Sequence, residues 1–95
     1  MLPKMLQSVL WSYNLSSLDL KKNKHLVITQ VLNHGNWEQL QWLIKHCKWP
    51  EIKEAVVNPD RGSWMPDALN YWMTIFGLRM SKQKYRSALL NLEPR

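Results

Sequence analysis

Apolar residues recur along this chain at helical spacing, between residues that typically begin and end helices. The clearest case starts at Pro66 and stops at Gly77, because proline is favoured in a first helical turn and glycine just beyond a last one. Its apolar stripe consists of Ala68, Leu69, Trp72, Ile75 and Phe76. No segment alternates apolar and polar residues long enough to indicate a strand. The pattern predicts an all-α fold of five or six short helices packed around one core.

The same spacing predicts helices elsewhere in the chain. A first amphipathic helix should cover residues 2–13, followed by a turn over residues 14–19 and a second helix that ends at Gly35. Asn36 should cap a third helix, with Gln39 in the capping-box position. The buried stripe expected for this third helix is Trp37, Leu40, Leu43, Ile44 and Cys47.

The sequence predicts two more helices, one after Trp49 and one near the end of the chain. Trp49 and Pro50 open a short helix that should end near Asn58, and residues 58–65 form the longest expected loop. Ser81 caps a last helix over about residues 81–92, which is rich in basic residues.

Length and composition indicate a single folded domain over residues 1–95. A hydrophobic content of 45% with a charged content of 21% is typical of globular chains. The lone Cys47 cannot form an internal disulfide, and we find neither a secretory h-region nor an apolar run as long as a membrane span. We therefore expect a soluble, cytoplasmic protein with no membrane partner.

Residues for catalysis or metal binding do not form a recognised pattern. The soft metal ligands are His25, His34, His46 and Cys47, and their spacing lacks the two close pairs of a zinc site. The seven carboxylates are scattered, and the three glycines are too far apart for a phosphate-binding loop. The sequence predicts no enzyme activity, no metal, no cofactor and no small-molecule substrate.

Six tryptophans are more than the core of a 95-residue chain requires. Helical spacing places Trp11 and Trp42 opposite the apolar stripes of their helices, and Trp64 lies in the long loop. Tryptophan is enriched at binding hot spots, so these three are candidate anchors for a partner. Alternatively, each packs against a second neighbour inside a multi-helix core.

The net charge of +6 favours anionic partners. Two groups of cations stand out, at the start of the second helix and around the last one, and they are candidate nucleic-acid contacts. The first group is Lys21, Lys22 and Lys24, and the second is Arg79, Lys82, Lys84 and Arg86. A solvated polar face is the simpler interpretation of such short charge runs.

One set of residues resembles a family of small bacterial domains of unknown function. The shared pattern runs over about residues 10–78 and consists of Leu10-Trp11, Leu18-Asp19 with Lys22, Val27-Ile28, Val31-Leu32, Gly35, Trp42-Leu43, Ile52, Pro66 and Tyr71-Trp72 through Gly77. Members of that family are commonly encoded beside nucleotidyltransferase-type toxins of the abortive-infection class. The resemblance implies an antitoxin-like partner of such a toxin.

Three functions remain as hypotheses. The first is a non-enzymatic module that binds another protein, such as a nucleotidyltransferase-type toxin, through tryptophans rimmed by Lys and Arg. The second is a DNA-binding protein, such as an autoregulating antitoxin, that uses the basic last helix. A helix-turn-helix over residues 37–58 is a weaker alternative for DNA, because its second helix carries Glu51 and Glu54 beside a single Lys53. The third is an enzyme whose site a partner chain completes.

Overall fold

Five α-helices carry the fold in the computed structural model, which describes residues 2–90. They are α1 (Lys24–His34), α2 (Trp37–His46), α3 (Trp49–Val57), α4 (Pro66–Phe76) and α5 (Lys82–Ala88). Short 3₁₀ turns at Lys4–Leu6 and Leu15–Ser17 precede them. Within residues 2–90, extended pairing is limited to an isolated parallel bridge between Trp64 and Leu89. The predicted all-α fold is confirmed.

Helix α1 lies at the centre of the molecule and packs against α2, α3 and α4. It buries Val27, Ile28, Val31 and Leu32 together with Thr29. A central helix needs apolar residues on three sides, because each of its three neighbouring helices packs against a different side. The sequence of α1 is accordingly apolar around most of its circumference.

Local signals in the sequence correctly place three of the helix ends. Asn36 Oδ1 accepts a hydrogen bond from the main-chain N–H of Gln39, and Gln39 Oε1 accepts one from the main-chain N–H of Asn36, which forms the expected capping box. Gly77 ends α4 with φ of 63°, a left-handed conformation that glycine adopts without strain. The Ser81 hydroxyl caps α5 by accepting from the Lys84 amide.

The helix predicted over residues 2–13 is wrong. Only Lys4–Leu6 is helical, as a 3₁₀ turn, although the expected apolar residues Leu2, Leu6, Val9 and Leu10 are buried. In an α-helix the main-chain carbonyl groups of this segment would accept hydrogen bonds from main-chain N–H groups four residues later. Here three of them accept hydrogen bonds from glutamine side chains instead. Gln30 Nε2 donates to Val9 O at 2.8 Å, Gln39 Nε2 donates to Met5 O, and Gln7 Nε2 donates to Leu10 O at 2.9 Å. Tertiary contacts have overridden the helical period.

The faces of α2 and α4 also differ from the expected stripes. Trp37 and Ile44 are exposed, and α2 buries Leu43 and Gln39 instead. Gln39 tolerates burial because its side chain bonds Met5 O, the Ser8 hydroxyl and the Asn36 amide. On α4, Ile75 is exposed.

The last helix stops at Ala88, short of the predicted end. Leu89 is extended, and main-chain hydrogen bonds from Trp64 N to Ala88 O and from Leu90 N to Trp64 O tie this end to the loop before α4. This pairing diverts the chain from the helix. Residues 91–92 of the predicted helix lie outside the described part of the chain.

Candidate protein-binding groove

A groove of about 430 Å³ lies where the end of α1, the start of α2 and the first half of α4 meet. We refer to it as the aromatic groove, because Trp37, Tyr71 and Trp72 line it together with Leu32 and Leu40. Trp37 is 69% exposed and Tyr71 is 58% exposed, whereas Trp72 is buried. The aromatic groove thus offers two accessible rings above a fixed apolar surface.

The position of Trp37 follows from the connection between α1 and α2. Gly35 ends α1, and a Cβ atom at this position would lie 2.5 Å from the Val31 carbonyl oxygen. Its φ of −73° is ordinary, so glycine is needed here for space and not for conformation. Asn36 then caps α2, which makes Trp37 the first residue of the helix and leaves it at the edge of the packed core.

Helix α4 supplies the opposite side of the groove. Trp72 Nε1 donates to Leu32 O at 3.2 Å, which fixes the buried indole against α1. The Tyr71 ring packs edge-on against Trp72, with 5.2 Å between ring centroids. Buried packing on one side restrains Tyr71, so little conformational entropy remains to be lost when a partner covers its other face.

One carboxylate lines the aromatic groove among the described residues, that of Asp67. Asp67 lies in the first turn of α4, where a negative charge is favoured by the helix dipole. A mainly apolar surface with a single acidic group suits an apolar segment of a partner that also carries a cation.

The three tryptophans selected from the sequence have different surroundings. Trp11 is 62% exposed, and its ring packs edge-on against His34 at the end of α1. Trp42 is half-buried and stacks on His46 with 4.4 Å between centroids. Trp64 is fully buried, so its selection as an exposed anchor is corrected: the bridge to Leu89 pulls this loop residue into the core.

Sequence reasoning missed Trp37 and Tyr71 as surface residues. Trp37 fits the apolar stripe of α2 by spacing, but a residue at a helix start can extend past the neighbouring helices. Tyr71 lies off the α4 stripe of Leu69 and Trp72, and this offset was a signal that could have identified it.

The two basic groups occupy separate places. Lys24 forms an ion pair with Glu51 on α3, while Lys21 and Lys22 are exposed. Arg79, Lys82, Lys84 and Arg86 are all exposed around α5. Arg86 shares a groove with Arg61 from the loop before α4, a residue that the sequence pattern did not single out.

The ion pair between Lys24 and Glu51 shifts the pKa of both side chains. The hydrogen bond from Lys24 holds the pKa of the Glu51 carboxyl below its ordinary value, and the Lys48 amide contributes to the same shift. The same bond raises the pKa of Lys24. Both side chains keep about a third of their surface in solvent, at 35% and 34%. This pairing occupies Lys24 and also removes Glu51 as a free acid.

The single cysteine, Cys47, is a free thiol buried in the core. Burial raises the pKa of the Cys47 thiol, with a smaller contribution from Glu51, and so disfavours the reactive thiolate.

Across residues 2–90 no three His, Cys, Asp or Glu side chains gather closely enough to hold a metal ion. No helix in this part of the chain is long and apolar enough to cross a membrane.

Comparison with known proteins identifies a family for this chain. The model of a family of unknown function, DUF6922, matches residues 5–56, from the first 3₁₀ turn to the end of α3. Neither the curated proteins nor the solved structures contain a match to this chain. The matched segment supplies the α1 and α2 sides of the aromatic groove, including Trp37, and ends before Tyr71 and α5.

Proposed function

The chain belongs to the DUF6922 family of unknown function, and we propose that it is a non-enzymatic module that binds a partner protein through the aromatic groove. One observation carries the proposal. Trp37 and Tyr71 keep 69% and 58% of their surface in solvent while lining one groove. Large aromatic side chains left exposed around a concave apolar surface are typical of binding hot spots.

The packing of the groove supports this use. Trp72 is held by its bond to Leu32 O, and the Asn36 capping box fixes the start of α2. A groove whose walls are held in this way loses little entropy on binding. Asp67 adds a charge that orients a cationic side chain of the partner.

For the class of partner, we propose a nucleotidyltransferase-type toxin, with this chain as its antitoxin-like counterpart in a bacterial cell. The support is the resemblance of the Trp11, Val31-Leu32, Gly35 and Trp42-Leu43 pattern to domains encoded beside such toxins.

The test is to co-purify the chain with the nucleotidyltransferase-type protein encoded beside its gene and to measure the Kd of the complex. Trp37→Ala and Tyr71→Ala should each weaken binding by about 30-fold or more, equivalent to about 2 kcal/mol. Because both side chains are largely exposed, the free energy of unfolding of the free domain should change by less than about 1 kcal/mol.

Trp49→Ala is the matched control, since Trp49 is 47% exposed but contacts Phe76 outside the groove. Trp11→Ala and Trp42→Ala test the two surface tryptophans selected from the sequence. If either weakens binding while Trp37→Ala and Tyr71→Ala do not, the aromatic groove is the wrong surface. Absence of any complex with the toxin-type protein would refute the assignment of the partner.

A further inference from the structure

A second groove, of about 280 Å³, lies between the loop before α4 and the end of α5. Two arginines from distant parts of the sequence line it, and the full lining is Arg61, Gly62, Arg86, Ser87 and Leu89. We refer to it as the arginine groove. It is separate from the aromatic groove, and the two share no lining residue.

Main-chain hydrogen bonds hold the two walls of the arginine groove together. Gly62 N donates to Ser87 O at 2.8 Å, and Trp64 N donates to Ala88 O at 2.8 Å. The buried Trp64 side chain anchors the same loop in the core. The backbones that carry Arg61 and Arg86 are therefore fixed relative to each other before any ligand binds, which lowers the entropic cost of binding.

No carboxylate lines this groove in the described part of the chain. The acid next to Arg61 is Asp60, and its carboxylate lies 3.5 Å from His25 Nε2. Within residues 2–90, the basic and acidic side chains that approach within 4 Å are this pair and Lys24–Glu51, and neither pair includes Arg61 or Arg86. Because two arginines line one groove, their positive charges repel each other, and an anion bound between them would offset that repulsion.

The chemistry of the lining selects the kind of anion. The planar guanidinium group matches the oxygens of a phosphate with two parallel hydrogen bonds. Ser87 adds a side chain whose hydroxyl can donate a third. Together these groups fit one phosphate group better than a carboxylate, which presents only two oxygens.

The segment that contributes Arg86 to the groove is rich in positive charge. Residues 77–90 contain Arg79, Lys82, Lys84 and Arg86 and no acidic residue. Lys82 lies four positions before Arg86 and shares its helix face, whereas Lys84 points to another face of α5. Further cations on the helix that contributes Arg86 suit a ligand with several phosphates. We propose that Arg61 and Arg86 together hold one phosphate of a nucleic-acid backbone.

The test measures binding of the full chain to a fluorescein-labelled DNA duplex of about 20 base pairs, by fluorescence anisotropy between about 50 and 200 mM salt. Arg61→Ala/Arg86→Ala should weaken binding by roughly 10- to 100-fold. It should also reduce the log–log salt slope by about 0.9, since the two arginines share one phosphate. Arg61→Lys/Arg86→Lys should keep the slope but lose affinity, because lysine lacks the planar fork.

The charge-matched control is Lys45→Ala/Lys53→Ala, which removes two exposed cations that neither line the groove nor belong to the basic group around α5. Circular dichroism and thermal unfolding check that each variant is folded, and Arg61→Gln/Arg86→Gln replaces the alanine pair if that pair unfolds. Equal losses in the control and arginine variants would show diffuse attraction and overturn the proposal. No duplex binding by the wild-type chain at about 50 mM salt, or tighter binding of a phosphorylated peptide than of DNA, would also overturn it.

Discussion

The Asn33 side chain joins the central helix α1 to the loop before α4. Replacing Asn33 tests how strongly these two parts of the fold are held together. From the last turn of α1, its side chain reaches the loop before α4. Asn33 Nδ2 donates to Ser63 O at 3.0 Å, and Asn33 Oδ1 accepts from Met65 N at 2.8 Å. A further bond to Thr29 O lies within the helix. The two bonds to the loop are the ones whose loss should loosen the tertiary structure.

We expect Asn33→Ala to lower the free energy of unfolding by about 1–2 kcal/mol. Each bond to the loop contributes about 1 kcal/mol, and the higher helix propensity of alanine returns at most about 0.7 kcal/mol. Asn70→Ala isolates the propensity gain, because Asn70 is exposed on α4 and its side chain makes no tertiary hydrogen bond among residues 2–90. The difference between the two variants should therefore be about 2 kcal/mol.

Urea unfolding gives the free energies, and hydrogen exchange locates the effect. The Gly62 and Trp64 amides donate to Ser87 O and Ala88 O, and they should exchange faster in Asn33→Ala because the loop opens more often. The reasoning is refuted if the two asparagine variants differ by less than about 0.5 kcal/mol and these amides exchange at the wild-type rate.

Two further predictions follow from the core and from the ion pair. Trp72→Ala should cost about 3–5 kcal/mol in urea unfolding because the indole is buried, whereas Ile75→Ala, exposed on the same helix, should cost less than about 1 kcal/mol. Similar losses in both variants would contradict the assigned face of α4. The pKa of Glu51 is lowered in the folded state by Lys24, so its stabilising effect is present above the ordinary carboxyl pKa and is lost as the pH falls through the folded value. Unfolding measured at neutral and acidic pH should then show a smaller acid-induced loss for Glu51→Gln than for the wild type, and an equal loss would show that the pair does not contribute.

The sequence by itself determined the helices that begin and end with local signals. The Asn36 capping box, the proline starts of α3 and α4, the Gly77 stop and the Ser81 cap all act within a few residues of their own position. Such signals involve only neighbouring main-chain groups, so they can be identified without knowledge of the fold. The all-α fold follows from them.

Tertiary structure decided which apolar residues face solvent and which loop residues are buried. Trp37 was expected in the buried stripe of α2, but it is exposed at the start of that helix. Trp64 was a candidate surface anchor in a loop, but its bridge to Leu89 holds it in the core. The N-terminal segment does not form the predicted helix, because side chains from α1 and α2 donate hydrogen bonds to its main-chain carbonyl groups. Helical spacing indicates that residues share a face, but only the arrangement of neighbouring helices decides whether that face is covered. The same arrangement brings Arg61 to Arg86, two residues that no local pattern connects.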